Sequence, residues 1–353
     1  MRVGISLLTL APGDLGGSET YARALTRTLA SQGKLEYAAL VPEHAPEAAS
    51  GLPTIAVHER LGLRRGPARL ASMRLATRLD RAFAASLDEL DVLHYPLTVA
   101  IPAAGAPAVV TLHDLQHRDL PENFSLPRRA FRRSDYDCAA KRAAGVVVPS
   151  AFVREHAVDR LGLDPGRVHV IAHGVDHALF SPGEEAREPF LLYPARPWPH
   201  KNHNGLLEAF VLLHAEMPEL RLLLTGGGLE ALGPLPAGVE HLGEVSASTL
   251  ATLYRTAACL VFPSLYEGFG LPPLEAMACG CPVACSDAAS LPEVCGEAAV
   301  YFDPGSPEAI ANGVREALAL GDELRVLGVE RAAGFTWEET ARRHEDVYRS
   351  VGS

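Results

Sequence analysis

Strand-like apolar runs alternate with stretches of helical period along the whole chain. The runs fall at residues 2–8, 35–41, 91–95, 108–113, 145–149 and 168–171, and then at 190–194, 220–225, 239–242, 259–262, 282–285 and 299–302. Helical patterns follow several of them, at 18–30 and 151–161 for example. Strand and helix in alternation make parallel sheets with helices on both faces, so the pattern predicts an α/β chain of two doubly wound domains. A polar segment holding Pro182, Gly183 and Pro189 interrupts the alternation. The expected boundary therefore lies between a first domain at 1–180 and a second beginning at 181.

Composition narrows the class. With 353 residues, 48% hydrophobic and 21% charged, the chain can bury two cores and is not expected to be disordered. Its longest uncharged apolar stretch, 97–112, is broken by Pro102, Gly105 and Pro107 and falls short of a membrane span. The opening residues read as a first strand entering a glycine loop rather than as a secretory signal, which sets the expectation of a cytoplasmic protein. Six cysteines in a chain of this length do not make a disulfide framework. Cys279, Cys281, Cys285 and Cys295 lack paired CxxC spacing and sit among Ala, Gly and Val, so they are expected as small buried residues and not as zinc ligands.

The net charge of −11 is unevenly spread: residues 1–180 carry 21 basic and 19 acidic side chains, and residues 181–353 carry 11 and 24. That balance argues against nucleic acid as a partner, while an anionic partner for the first half stays open.

In open α/β sheets ligands gather outside the carboxyl ends of strands, so the residues just after each run are where chemistry is sought. The strongest signal is Glu267-Gly268-Phe269-Gly270-Leu271-Pro272-Pro273-Leu274-Glu275, between a strand and a helix. Its glycines let backbone approach a ligand, and a helix start offers N–H groups to phosphate or hydroxyl oxygens. The two carboxylates would repel a diphosphate, so they are expected to accept hydrogen bonds from sugar and ribose hydroxyls. A second signal, Ala195-Arg196-Pro197-Trp198-Pro199-His200-Lys201-Asn202, places two cations after the first strand of an acidic domain. Arg196 and Lys201 suit a diphosphate, one as a planar fork and the other as a mobile point charge.

The first half gives weaker signals. Gly13, Gly16 and Gly17 follow the first strand, with Ser18 as the expected helix N-cap, and His113-Asp114 closes the strand at 108–113. A lone histidine in such a place is more often structural. Gly226-Gly227-Gly228 would let a nucleotide approach but lacks the GxGxxG spacing of a dinucleotide site. Asp135-Tyr136-Asp137 resembles a metal-binding DxD but lies within an expected helix at 128–142, where a solvated face is the favoured reading. In the helix-like segment 68–87, Arg74, Arg78 and Arg81 fall opposite Met73, Ala76, Leu79, Phe83 and Leu87; Arg128, Arg129, Arg132 and Arg133 form a second basic cluster. Ordinary solvated faces are the simpler reading, and an anionic acceptor or membrane surface the sharper one.

Taken in order, GGSE at 16–19, HD at 113–114, HGVD at 173–176, ARPWPHKN at 195–202 and EGFGLPPLEAMACG at 267–280 resemble the retaining glycosyltransferases of family four over most of the chain. The resemblance implies the GT-B fold: two Rossmann-like domains facing a cleft, an acceptor-side domain at 1–180, a nucleotide-sugar domain at 181–335, and a closing helix over 336–353 that returns to the first. It implies that Arg196 and Lys201 hold the donor diphosphate and stabilise the departing nucleotide. Glu267 would hold a donor-sugar hydroxyl with the amides of Gly268, Phe269 and Gly270, Leu271 would join the donor site, and Glu275 would hold the ribose. Gly17 would present backbone to the diphosphate, and His113 would lie near the sugar. Transfer is expected from GDP-mannose or a UDP-sugar to a hydroxyl acceptor, anionic or lipid-linked among the options, with retention and no metal or other cofactor. His173 departs from the Asn common at its position. An epimerase or phosphorylase of the same architecture, and a two-domain ligand-binding protein, are the competing readings.

Overall fold

The computed structural model describes residues 1–10, 16–43, 45–58 and 67–352, which form two compact units. One is Met1–Gly174 together with Trp337–Ser353; the other is Val175–Thr336. The first break comes six residues before the expected 180/181 boundary. Val175 already belongs to the second unit, because its N–H donates to Phe335 O at 3.0 Å and it bridges Thr336, pinning the two ends of that unit together. The Pro- and Gly-bearing segment lies inside this unit, ahead of its first strand.

Among its described residues the first unit has seven parallel strands: β1 (Arg2–Ser6), β2 (Glu36–Pro42), β3 (Thr54–Val57), β4 (Val92–Tyr95), β5 (Ala108–Thr111), β6 (Gly145–Val148) and β7 (Val168–Val170). Their order across the sheet is β3-β2-β1-β4-β5-β6-β7. Both faces are covered, so the strands are continuous apolar runs rather than alternating ones. Val109 and Val147 pack on one face with Ile5, while Val110 and Val146 pack on the other with Leu93. The closing helix Trp337–Val351 belongs to this unit and buries Trp337, Ala341, Val347 and Tyr348 in the core that contains Ile5.

The second unit has six parallel strands: β8 (Glu188–Pro194), β9 (Arg221–Thr225), β10 (Val239–His241), β11 (Ala257–Phe262), β12 (Val283–Ser286) and β13 (Val300–Phe302), in the order β10-β9-β8-β11-β12-β13. In each sheet the order reverses beside the first strand, between β1 and β4 and between β8 and β11.

Two expected helices are broken. The segment at 68–87 divides into Pro67–Leu79 and Arg81–Leu87, because the Asp80 carboxylate caps a new start by accepting from Phe83 N at 3.0 Å. Leu79, expected on the buried face, is 63% exposed. The segment at 128–142 runs as Leu126–Arg132, a π turn at Arg133–Asp137, and Cys138–Arg142. Its Asp137 corrects the solvated-face reading: the side chain is buried and holds His117 Nε2 at 2.8 Å and Arg118 Nε at 2.9 Å. Burial works to raise that carboxyl, but these two partners outweigh it and hold it below the usual range. Five of the six cysteines are buried and all are free thiols. Among the described residues no three His, Cys, Asp or Glu side chains group as a metal site, and no helix is long and apolar enough to cross a membrane.

Candidate active site

Three loops leave the carboxyl ends of β9, β8 and β11, neighbours at the reversal point of the second sheet. That crevice is the standard ligand position in open α/β sheets. Arg196 and Lys201 come from the loop after β8, the three glycines at 226, 227 and 228 from the loop after β9, and Glu267 to Gly270 from the loop after β11.

Lys201 ends a one-turn helix, Pro199–Lys201, that is tied at both sides. The buried Tyr193 hydroxyl donates to Lys201 O at 2.5 Å, and Leu265 N donates to His200 O at 2.7 Å. The lysine Nζ then reaches Glu267 Oε1 at 2.5 Å and lies 5.2 Å from the centre of the Phe262 ring. Arg196 Nη2 meets Glu244 Oε1 at 2.8 Å, with Glu244 66% exposed. Each expected diphosphate cation is thus held by a carboxylate. The exposed Arg196 pair yields to a competing anion at little cost, whereas the Lys201 pair is enclosed and fixes its cation in place. Close contact between these loops demands glycine at 226: φ is +136°, and a Cβ there would lie 2.9 Å from Ala195 O.

The loop after β11 is clamped from behind. Ser290 Oγ lies 3.0 Å from Glu267 O and 2.7 Å from Phe269 O. Phe269 is buried, with its ring edge-on to Phe335 at 6.1 Å, so it can serve a ligand only through its backbone. Gly270, at φ +116°, precedes the helix Leu271–Ala278. Pro272 and Pro273 carry no N–H, so any anion-binding amides at this helix start must come from residues 268 to 271. Glu275 is on the helix and 8% exposed, its Oε2 accepting from the Tyr254 hydroxyl at 3.3 Å. Burial pushes its carboxyl up to about 8, so the unliganded side chain holds a proton at neutral pH.

In the first unit Gly16, at φ +56°, is the cap of helix Gly17–Gln32, and Ser18 lies inside the first turn instead of capping it. Gly13 is outside the described residues. A Cβ on Gly17 would meet no described residue within 4 Å. His113 follows β5 and donates from Nε2 to Pro96 O at 2.8 Å, which leaves Nδ1 as an acceptor in the neutral ring. Burial holds its pKa below the usual histidine value. Tyr21 stands edge-on to it at 5.0 Å, and His173 packs against Tyr21 at 4.7 Å and stacks with Trp337 at 6.1 Å. His173 therefore fills an aromatic layer of the first unit. Asp114 accepts from Arg132 Nη1 at 2.8 Å and from Gln116 N at 3.0 Å.

Several residues at these strand ends carry no motif. Arg69, buried on helix Pro67–Leu79, donates to Leu8 O at 2.9 Å, Thr9 O at 3.3 Å and Leu10 O at 3.0 Å, fixing the chain where it leaves β1. Glu244, Tyr254 and Ser290 likewise act across long sequence gaps. Only Arg69 had a local signal, a basic residue within the apolar stripe of its helix.

Two family models cover the chain, "Glycosyltransferase Family 4" over residues 15–179 and "Glycosyl transferases group 1" over residues 175–332. O-antigen chain mannosyltransferase B of Escherichia coli is 30% identical over 81% of this chain and 81% of its own length. The chain belongs to glycosyltransferase family 4. Other similar family members include the MMP alpha-(1->4)-mannosyltransferase of Mycolicibacterium hassiacum, 31% identical over 78% of this chain and 74% of that one, and the D-inositol 3-phosphate glycosyltransferase of Geodermatophilus obscurus, 31% over 93% and 83%. Among solved structures, sucrose-phosphate synthase of Thermosynechococcus elongatus superposes with a TM-score of 0.77 at 23% identity, over 99% of this chain and 98% of that one. Anabaena HepE in complex with UDP-glucose gives 0.73 at 18%, over 99% and 100%. These two likenesses show the fold: two Rossmann-like parallel-sheet domains of the GT-B class. The family 4 protein is a glycosyltransferase enzyme.

Proposed function

We propose that this glycosyltransferase moves a hexose from a nucleotide sugar to a hydroxyl acceptor with retention of configuration and without a metal ion. The observation that carries the reading is the gathering of Arg196, Lys201 and Glu267 at one strand-end crevice, with Lys201 fixed against Glu267. Arg196 swings from Glu244 to the donor diphosphate and Lys201 supplies a fixed positive charge beside it, so the leaving nucleotide is stabilised where its charge develops. Glu267 accepts from a sugar hydroxyl, Glu275 from the ribose, and residues 268 to 271 present amides. Gly17 lets first-unit backbone approach the diphosphate, and neutral His113 offers a hydrogen bond near the sugar. With no carboxylate nucleophile assigned, the leaving phosphate takes the acceptor proton on the same face of the sugar.

GDP-mannose is the first donor to try, since several relatives are named mannosyltransferases, and UDP-glucose the second, since HepE was solved with it. The acceptor hydroxyl is carried by an anionic or lipid-linked molecule, which the protein meets from the inner face of a membrane through the first unit. A panel of nucleotide sugars read by thermal shift and by donor hydrolysis tests the donor, and the anomeric configuration of the product read by NMR tests retention. Turnover undiminished by chelator is expected. A trapped covalent glycosyl-enzyme, or epimerised sugar from donor alone, would overturn the mechanism.

A further inference from the structure

The connection from β4 to β5 contains no helix. Parallel strands are normally joined by one, which covers the sheet face. Here residues 96–107, rich in alanine and proline, run back as a thin strap, and beside it a groove of about 600 Å³ lies open. The strap supplies an apolar floor through Ile101, Ala104 and Pro107, while Arg74, Arg78, Arg142 and Arg167 rim it. Among the described residues the lining holds one carboxylate, Asp135, already paired with Arg74, and Arg167 donates to Ala143 O at 2.7 Å. Arg78 and Arg142 are exposed and have no ion pair with any described residue. The rim thus keeps an excess of cations in a protein whose net charge is −11.

The same helix that brings Arg74 and Arg78 also presents Leu75 and Leu79 to solvent, 53% and 63% exposed. A second hollow of about 370 Å³ on that side is lined by Leu75, Ala76 and Leu79 together with the polar His58, Ser72, Asp80 and Arg81. Guanidinium forks over an apolar floor, next to unpartnered leucines, fit a phosphodiester that carries hydrocarbon. The groove reaches Ala108, Ala144 and Arg167, at the amino ends of β5, β6 and β7, so it lies away from His113 and the carboxyl-end site. We propose that this groove seats the headgroup phosphate of an anionic phospholipid, with Leu75 and Leu79 entering the bilayer interface, and so docks the first unit on an acidic membrane. The proposal rests on the reading that this protein meets a membrane, and is independent of which donor it uses.

Sedimentation with phosphatidylcholine vesicles, with and without phosphatidylglycerol, tests it on the full chain. Binding is expected only with the anionic lipid, weakening as salt rises. At about one factor of five for each cation held at such a surface, Arg78→Gln with Arg142→Gln should weaken it roughly 30-fold. Leu75→Ser with Leu79→Ser should weaken it also. Arg128→Gln with Arg133→Gln removes the same charge outside the groove and should cost no more than a few-fold. Hydrolysis of soluble donor should be unchanged in all three variants. Equal loss in the two arginine pairs would overturn the groove and leave the membrane reading standing; no binding by the unaltered protein would remove both.

Discussion

Lys201 Nζ and Glu267 Oε1 lie 2.5 Å apart, each side chain about 13% exposed, on loops that leave two adjacent strands. The contact fixes both the cation and the carboxylate assigned to the donor, so the two are set before a ligand arrives. Lys201→Ala would strand the Glu267 carboxylate, costing roughly 3 kcal/mol of stability in such an enclosed pair. It should also lower kcat/KM by about 10²- to 10³-fold through loss of charge stabilisation. Lys201→Met combined with Glu267→Gln removes the stranded charge and should return Tm close to that of the unaltered protein, with kcat/KM at least as low as in Lys201→Ala. Turnover within a few-fold of normal in Lys201→Ala would refute the role given to this lysine.

The role proposed for Glu275 would make nucleotide binding sensitive to pH. Its carboxyl, raised to about 8 by burial, is protonated in the free protein at neutral pH. If ribose hydroxyls donate to it as proposed, they favour the ionised form, and nucleotide binding below pH 8 should release the proton. Affinity should therefore rise with pH, by up to about tenfold per unit, and flatten above 8. Titration calorimetry at pH 7 in two buffers of different ionisation enthalpy should register release of close to one proton. Glu275→Gln should abolish both effects. A proton count near zero in the unaltered protein would mean that Glu275 binds the nucleotide as an acid or not at all.

Gly17 and Gly270 separate a ligand's need for glycine from the fold's. Gly270 sits at φ +116°, and a Cβ there would lie 2.7 Å from Leu291 Cδ2. Gly270→Ala should cost about 1–3 kcal/mol in backbone strain, lowering Tm. Gly17→Ala meets no described residue and sits on a helical backbone, so Tm should hold or rise slightly. Donor turnover should nonetheless fall by at least tenfold if, as proposed, the diphosphate approaches this backbone where the added methyl would stand. Normal kcat/KM in Gly17→Ala would show that the donor does not approach this backbone.

What could be read along the chain follows from range. Central strands such as β5 and β11 are buried on both faces and show as unbroken apolar runs, and the residues after them inherit a position at the strand end. β3, with four residues and only Val57 fully buried, carries no such run and escapes detection. Helix interruptions at Asp80 and at Arg133–Asp137 also escape, since a cap or an extra residue in a turn barely disturbs a period summed over twenty positions. The motif residues of the candidate site stand out locally, whereas Glu244, Tyr254 and Ser290 show themselves only through partners 48, 21 and 21 to 23 positions away. Leu79 reads as core because it falls on the apolar stripe of its helix, which ends at that very residue.

A chain of neutral side chains ties the closing helix to the first sheet and sets how that unit responds to acid. His344 Nδ1 lies 2.7 Å from Thr340 O, a carbonyl that can only accept, so this nitrogen carries the proton. His344 Nε2 then accepts from Tyr21 at 2.7 Å, Tyr21 from Thr111 at 2.9 Å, Thr111 from His94 Nε2 at 2.8 Å, and His94 Nδ1 from Tyr348 at 2.8 Å. Every proton has one place, and both imidazoles are neutral. Burial holds His344 down to about 4 and His94 well below 6.5, with His113 and His173 lowered for the same reason. The unfolded chain binds these protons below 6.5, while the folded one resists binding them until lower pH, for His344 until about 4, so stability should increase with pH up to 6.5. His344 alone accounts for roughly 3 kcal/mol across that window. Glu275 acts oppositely in the second unit: folded it stays protonated up to about 8, unfolded it ionises above 4.5, so its contribution is lost as pH rises through that interval. Thermal unfolding from pH 4 to 8 should show Tm climbing steeply to about 6.5. His344→Gln should reduce the slope, and imidazole NMR signals of His94 and His344 should show no titration midpoint between pH 5 and 8. A midpoint near 6.5 for either ring would mean that the chain of hydrogen bonds is not held in the folded protein.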